Sequence, residues 1–102
     1  IPGQVIKIAS ISQTVKVPHI GWDVVKTDVK DYEHILNHKK FYFVHSYYPQ
    51  VEKKYLLATA DYFNTQINSV VKKDNVAGCQ FHPEKSGKDG LFLISKIPDL
   101  YI

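Results

Sequence analysis

His82 and Glu84 lie two positions apart in the segment Phe81-His82-Pro83-Glu84-Lys85-Ser86, where a run of strand-forming residues, Val76–Phe81, comes to an end. Side chains at i and i+2 of a strand share a face, with Cα atoms ~6–7 Å apart, and Pro83 ends ladder pairing between them. A carboxylate at that distance hydrogen-bonds one ring nitrogen of the imidazole and leaves the other free to accept a proton. This is the base and orienter of a nucleophilic hydrolase. The same two residues alone also suit a surface ion pair or a satisfied core histidine.

Such a base needs a nucleophile. The only cysteine is Cys79. It lies three residues before His82, on the opposite strand face, and lacks a glycine-flanked turn. It therefore reads as a small core residue rather than a reactive thiol. A single cysteine excludes an intrachain disulfide, and with no secretory signal pattern it favours a reducing, cytoplasmic setting. His19, His45, His82 and Cys79 lack ligand-pair spacing such as C-x₂-C or H-x₃-H, so neither a metal nor a cofactor is expected.

The elements that must position these residues are legible in outline. Val5–Ile11 reads as a strand, with Gln13–Lys16 returning beside it before Pro18. Gly21 and Trp22 read as a surface loop. Asp28–Leu36 reads as a short helix capped by Asp28, with Val29, Tyr32, Ile35 and Leu36 on one face. Phe41–Tyr48 is an almost unbroken aromatic and β-branched run, as expected of a strand covered on both faces. Tyr55–Thr59 is a further strand and Ala60–Asn64 a connection. Gln66–Val71 and Val76–Phe81 flank a hairpin turn at Lys72–Asn75. A closing helix follows Ser86 as N-cap, with Asp89 completing a capping box, Leu91, Ile94 and Ile97 facing inward, and Pro98 as the stop. The fold class is α/β, a mixed sheet with flanking helices.

Composition narrows the partners. The 102 residues are 44% hydrophobic and 13% aromatic, which fits a globular fold. The thirteen basic residues are all lysine, are scattered, and leave a net charge of +3. That is a poor footprint for nucleic acid. No apolar run approaches the ~20 residues that cross a bilayer.

The longer string Gly78-x-Gln80-Phe81-His82-Pro83-Glu84-Lys85-Ser86 resembles the signature of class I glutamine amidotransferases. Val17-Pro18-His19-Ile20-Gly21-Trp22, Phe41-Tyr42-Phe43-Val44-His45-Ser46-Tyr47-Tyr48 and Ala58-Thr59-Ala60-Asp61-Tyr62 resemble the glutaminase subunits of imidazole glycerol phosphate synthases, in that family's order, from about Gly3 to Ile97. The resemblance implies a flavodoxin-like amidotransferase domain whose substrate is glutamine. His82 would be the general base and Glu84 its orienter. Trp22, Tyr42 and Lys85 would face a cyclase subunit at the ammonia gate, in a heterodimer that channels ammonia into imidazole ring closure for histidine biosynthesis. His45 matches a family histidine near the active site, although a structural role suits it as well.

That family carries its nucleophile on a Gly-x-Cys-x-Gly elbow, and neither the elbow nor a glycine-rich oxyanion loop occurs here. With no methionine and an abrupt apolar start, residues 1–102 read as the C-terminal half of one domain, inactive without its N-terminal half. Asp23 stands where the family usually has asparagine, and a carboxylate cannot donate as an amide does. This departure keeps open a paralogue serving amino-sugar synthesis. A remnant that only binds a synthase and a γ-glutamyl peptidase are the other readings.

Overall fold

The computed structural model describes residues 1–8, 18–63 and 65–96. Among them are seven strands and two α-helices: β1 (Gln4–Lys7), β2 (His19–Lys26), α1 (Glu33–Leu36), β3 (Lys39–His45), β4 (Tyr47–Gln50), β5 (Leu56–Tyr62), β6 (Thr65–Lys73), β7 (Val76–Cys79) and α2 (Gly87–Lys96). Five strands form one sheet in the order β3-β2-β5-β6-β7, and β1 pairs with β4 in a two-stranded ribbon. The described ladders are antiparallel. The fold is α/β, as the sequence predicts, and no described helix is long and apolar enough to cross a membrane.

Period-2 alternation decides which face is the core. Val25 on β2, Phe41 and Phe43 on β3, and Ala58 and Ala60 on β5 point inward. They pack against Ile35, Leu36, Phe81 and Leu93. Each large side chain buried in this way stabilises the fold by about 1.5–3 kcal/mol. A second, smaller cluster of Ile8, Tyr48 and Ile67 joins the ribbon to the sheet, and Asn68 Nδ2 donates to the Pro49 carbonyl across the same junction (3.0 Å).

Several sequence expectations change. Gly21 and Trp22 lie inside β2, not in a loop, because His19–Val25 runs in continuous register against β3. The aromatic run breaks at Ser46 into β3 and β4. Its outer face is not covered, and Val44 points to solvent. The run is continuous because one face packs the core while the other forms a surface strip. Residues 28–36 fold as a 3₁₀ turn, Lys30–Tyr32, followed by the single turn α1. Asp28 does not cap it; the Thr27 hydroxyl accepts the Val29 N–H instead (3.0 Å). β5 continues through Ala60 to Tyr62, so the expected connection is strand, and Tyr55 belongs to the preceding 3₁₀ turn. The β6–β7 hairpin forms with a tighter turn than expected. Lys73 pairs with Val76, and Asp74 takes a left-handed φ of 54°, as a two-residue turn requires. β1 reproduces the start of the expected Val5–Ile11 strand; the Gln13–Lys16 strand and the Ile97-Pro98 helix stop lie outside the described residues.

The closing helix turns a different face inward. Gly90 and Leu93 are buried, whereas Leu91 (66% exposed) and Ile94 are not. The reason is steric. Gly90 sits on the Pro83 carbonyl, and a Cβ there would stand 1.9 Å from that oxygen. The helix therefore meets the sheet along the Gly90–Leu93 side.

Candidate functional site

The segment that carries His82 is tied to the free edge of β3. Phe81 is buried, stacks on Phe41 at 4.1 Å between ring centroids, and meets Phe43 edge-on at 5.6 Å. The His82 N–H donates to the Tyr42 carbonyl (2.9 Å). The Tyr42 N–H donates to Ser86 Oγ (2.9 Å), and that hydroxyl donates to the His82 carbonyl (2.6 Å). One residue pair further along, the Lys40 N–H donates to the Asp89 carboxylate (3.2 Å). Ser86 and Asp89 thus do not form the expected capping box. Both serve unpaired donors of an edge strand, which would otherwise face solvent as a template for other chains.

Ser86 is the hub of this attachment and is 2% exposed. Ser86→Ala leaves the Tyr42 N–H without its acceptor, a loss expected to cost about 1–3 kcal/mol. Urea denaturation of the full-length protein measures it; a cost below about 0.5 kcal/mol, the range of ordinary surface substitutions, contradicts the role.

From this anchor Pro83 starts a 3₁₀ turn, Pro83–Lys85, with its fixed φ at the first turn position. The turn, rather than strand alternation, brings Glu84 back to His82. Glu84 Oε1 lies 3.1 Å from His82 Nδ1. The strand leading here, β7, stops at Cys79, short of the expected Phe81, and is a short edge strand with Val76 and Cys79 exposed. The pair itself is open to solvent, with side chains 41% and 55% exposed. An ion pair so exposed contributes at most about 1 kcal/mol to stability. What the geometry does provide is orientation. With Nδ1–H donating to Glu84, Nε2 presents a lone pair to whatever approaches.

Cys79 corrects one expectation and supports another. It is exposed, not a core residue, because β7 is the outermost strand. Its sulfur is nevertheless enclosed enough that desolvation, followed by the charge of Glu84, raises the thiol above its ordinary value. Its Sγ–H is directed at the Phe81 carbonyl (3.5 Å) rather than at His82. A nucleophilic cysteine needs the opposite shift.

Trp22 and Tyr42 are directly opposite each other in the β2–β3 ladder, on the outer face, with ring centroids 5.8 Å apart. Ile20 and Val44 form the next outward pair, and Ile20, Trp22 and Val44 are all exposed. Lys85 is exposed on the 3₁₀ turn hung from Tyr42. The tip of the Trp22 ring comes within 4.0 Å of where a Gly87 side chain would begin. The strip and the His82 turn are therefore adjoining parts of one surface.

Sequence reasoning missed His19, while the structural reading of His45 fits its burial. His19 is fully buried and bonds to Asp23 and His45. The signal was present in the spacing, because His19 and Asp23 fall on one face of β2, and register, which places His45 opposite His19, supplies the rest.

Comparison with known proteins gives the chain's family. The family model for glutamine amidotransferase class-I matches residues 3–95. Imidazole glycerol phosphate synthase subunit HisH of Methanocaldococcus jannaschii is 44% identical over 103 residues, covering 98% of this chain and 50% of the relative. The Pyrococcus furiosus subunit HisH is 43% identical over 95 residues, covering 90% and 47%. Subunit HisH 2 of Methanococcus maripaludis is 46% identical over 87 residues, covering 82% and 43%. The chain spans about half the length of the curated relatives it matches.

Proposed function

This chain belongs to the class I glutamine amidotransferase family, and from that premise we propose that it supplies the base and its orienter, His82 and Glu84, to a glutaminase that feeds ammonia to imidazole glycerol phosphate synthesis. The observation that carries the proposal is the 3.1 Å contact between His82 Nδ1 and Glu84 Oε1 on a turn anchored to buried scaffold. Nε2 then takes the proton of a cysteine thiol. The thiolate attacks the carboxamide carbon of glutamine, and the collapsing intermediate expels ammonia, which leaves with the proton that His82 returns. Water, deprotonated by the same imidazole, hydrolyses the glutamyl thioester to glutamate and restores the thiol. The thiol belongs to polypeptide outside these 102 residues, since Cys79 faces away from the base and holds its proton. A thiolate nucleophile suits a reducing, cytoplasmic compartment.

The apolar strip of Ile20, Trp22, Tyr42 and Val44, with Lys85 beside it, is the face for the synthase partner in a heterodimer that channels ammonia. Aromatic residues are enriched at such interfaces. The names of the matched relatives favour this reading over an amino-sugar paralogue, a binding-only remnant or a γ-glutamyl peptidase. The direct assay is ammonia release from glutamine by the full-length protein with and without its synthase. Stimulation by the partner is expected. Equal turnover without it points to the peptidase. Clear turnover by residues 1–102 with the partner contradicts the external thiol.

Glu84→Gln tests the orienter. An amide can donate to Nδ1 and so move the ring proton to Nε2, where it blocks proton acceptance. Glutamine turnover is expected to fall about a hundredfold, the lower end of what general-base catalysis contributes, with little change in thermal stability. Unchanged kcat contradicts the role.

A further inference from the structure

A second polar assembly lies apart from the His82 turn. The Asp23 carboxylate bonds His19 Nε2. His19 Nδ1 lies 2.7 Å from His45 Nε2. His45 Nδ1 lies 2.7 Å from the Tyr47 carbonyl oxygen. His19 is fully buried and His45 nearly so. The His19 ring stacks on Tyr62 (3.9 Å) and Phe43 (4.6 Å). One unbroken chain thus links β2, β3 and β4.

Counting protons constrains its state. The Tyr47 carbonyl only accepts, so His45 Nδ1 must carry a proton. The contact between the two rings needs one proton, and the contact between His19 and the carboxylate needs one more. Three contacts need three protons, whereas two neutral imidazoles carry two. The chain is complete only when the cluster binds one further proton, which leaves an imidazolium facing a carboxylate. Without it, one contact sets lone pair against lone pair.

We propose that Asp23, His19 and His45 form a one-proton lock that couples pH to the corner of β2, β3 and β4 bearing the partner-facing strip. The lock is closed when the third proton is bound and one contact short when it is lost. It deepens the proposed function as regulation of the same surface, since His19 adjoins Ile20, Asp23 adjoins Trp22, and Tyr42 on β3 holds the His82 turn. Its test does not read glutamine hydrolysis, so the two readings can fail separately.

The facing charges can be named element by element. From β2 comes Asp23, from β3 His45, and from β4 the Tyr47 carbonyl, with Lys7 of β1 opposite Tyr47 in the ladder. From β5 comes Tyr62, whose phenol is raised by burial and then by the charge of Asp23, and so stays neutral. Lys26 of β2 is paired with Asp61 of β5 (3.6 Å). Burial pulls His19 below the ordinary histidine value of 6.5, opposed by Asp23. Burial also lowers His45, and the charge of His19 lowers it further, so the pair takes one proton rather than two.

The sign follows. Unfolded histidines bind protons at the ordinary value and the folded pair binds them lower, because burying the added charge costs more than the completed contact returns; stability therefore falls as pH drops below about 6.5 even as the chain closes. Asp23→Asn changes this pattern. Its amide donates to His19 Nε2, so two neutral imidazoles complete the chain without a third proton. The full-length variant is expected to melt about 2–4 °C above the native protein at pH 8 and about 2–4 °C below it at pH 5, where the imidazolium has lost its carboxylate. A difference of constant sign across that range overturns the lock. Should the variant fail to fold, ¹⁵N NMR of His19 and His45 in the native protein decides. Coupled uptake of one proton below 6.5 is expected, and two independent titrations at the ordinary value overturn the proposal.

Discussion

Replacing His82 by alanine in the full-length protein is expected to lower kcat for glutamine hydrolysis, measured with the synthase present, by about a thousandfold or more, within the range that a positioned base contributes. The loss should fall on kcat because the imidazole acts on the thiol and on the departing ammonia, not on ground-state binding. It should leave the fold intact. The His82 side chain is half-exposed and its partner among the described residues is the exposed Glu84, while the backbone bond to Tyr42 and the Phe81 stack persist in the variant. A melting temperature close to the native value, together with lost turnover, separates chemistry from structure. Near-native turnover removes His82 from the mechanism.

The second large effect is on stability. Phe81→Ala removes a buried ring that stacks on Phe41 and meets Phe43 edge-on. Phe→Ala in a packed core costs about 3–5 kcal/mol, and the rigidity of the two flanking rings keeps the cavity from collapsing. Because His82 is the next residue, activity should fall as well, through a loosened turn. Phe81→Leu refills much of the volume and should restore most of both. Urea unfolding of the full-length protein reads the first effect and ammonia release the second. A cost under about 1 kcal/mol, which is less than a typical core truncation, would show that Phe81 does not anchor the segment.

The separation of anchor from base explains which parts of the sequence were legible. The pairing of His82 with Glu84 followed from spacing alone, although by a different route: Pro83 begins a turn that folds the carboxylate back, where strand alternation was expected. The β6–β7 hairpin followed from the turn chemistry of Lys72–Asn75, which is local, although the turn itself tightens to Asp74-Asn75. What failed depended on partners distant in sequence. Trp22 resembled a loop residue because Pro18 and Gly21 flank it, yet register with Tyr42 makes it a strand residue. Leu91 and Ile94 follow helical spacing, but the close approach of Gly90 to the Pro83 carbonyl selects another face. Ser86 and Asp89 have the spacing of a capping box, yet the donors of Tyr42 and Lys40 claim them. His19 was missed although Asp23 shares its strand face, because its other partner, His45, lies twenty-six residues away and only the register brings it opposite.

The most direct test of the account is the pH dependence with which a glutamine-like chloroketone alkylates the catalytic thiol of the full-length protein, compared with His82→Ala. Rapid alkylation is expected near neutral pH in the native protein and, in the variant, reactivity displaced toward the ordinary thiol range near about 8.5. Superimposable profiles would mean that the imidazole never takes the thiol proton, and would contradict the assignment of His82 as the base.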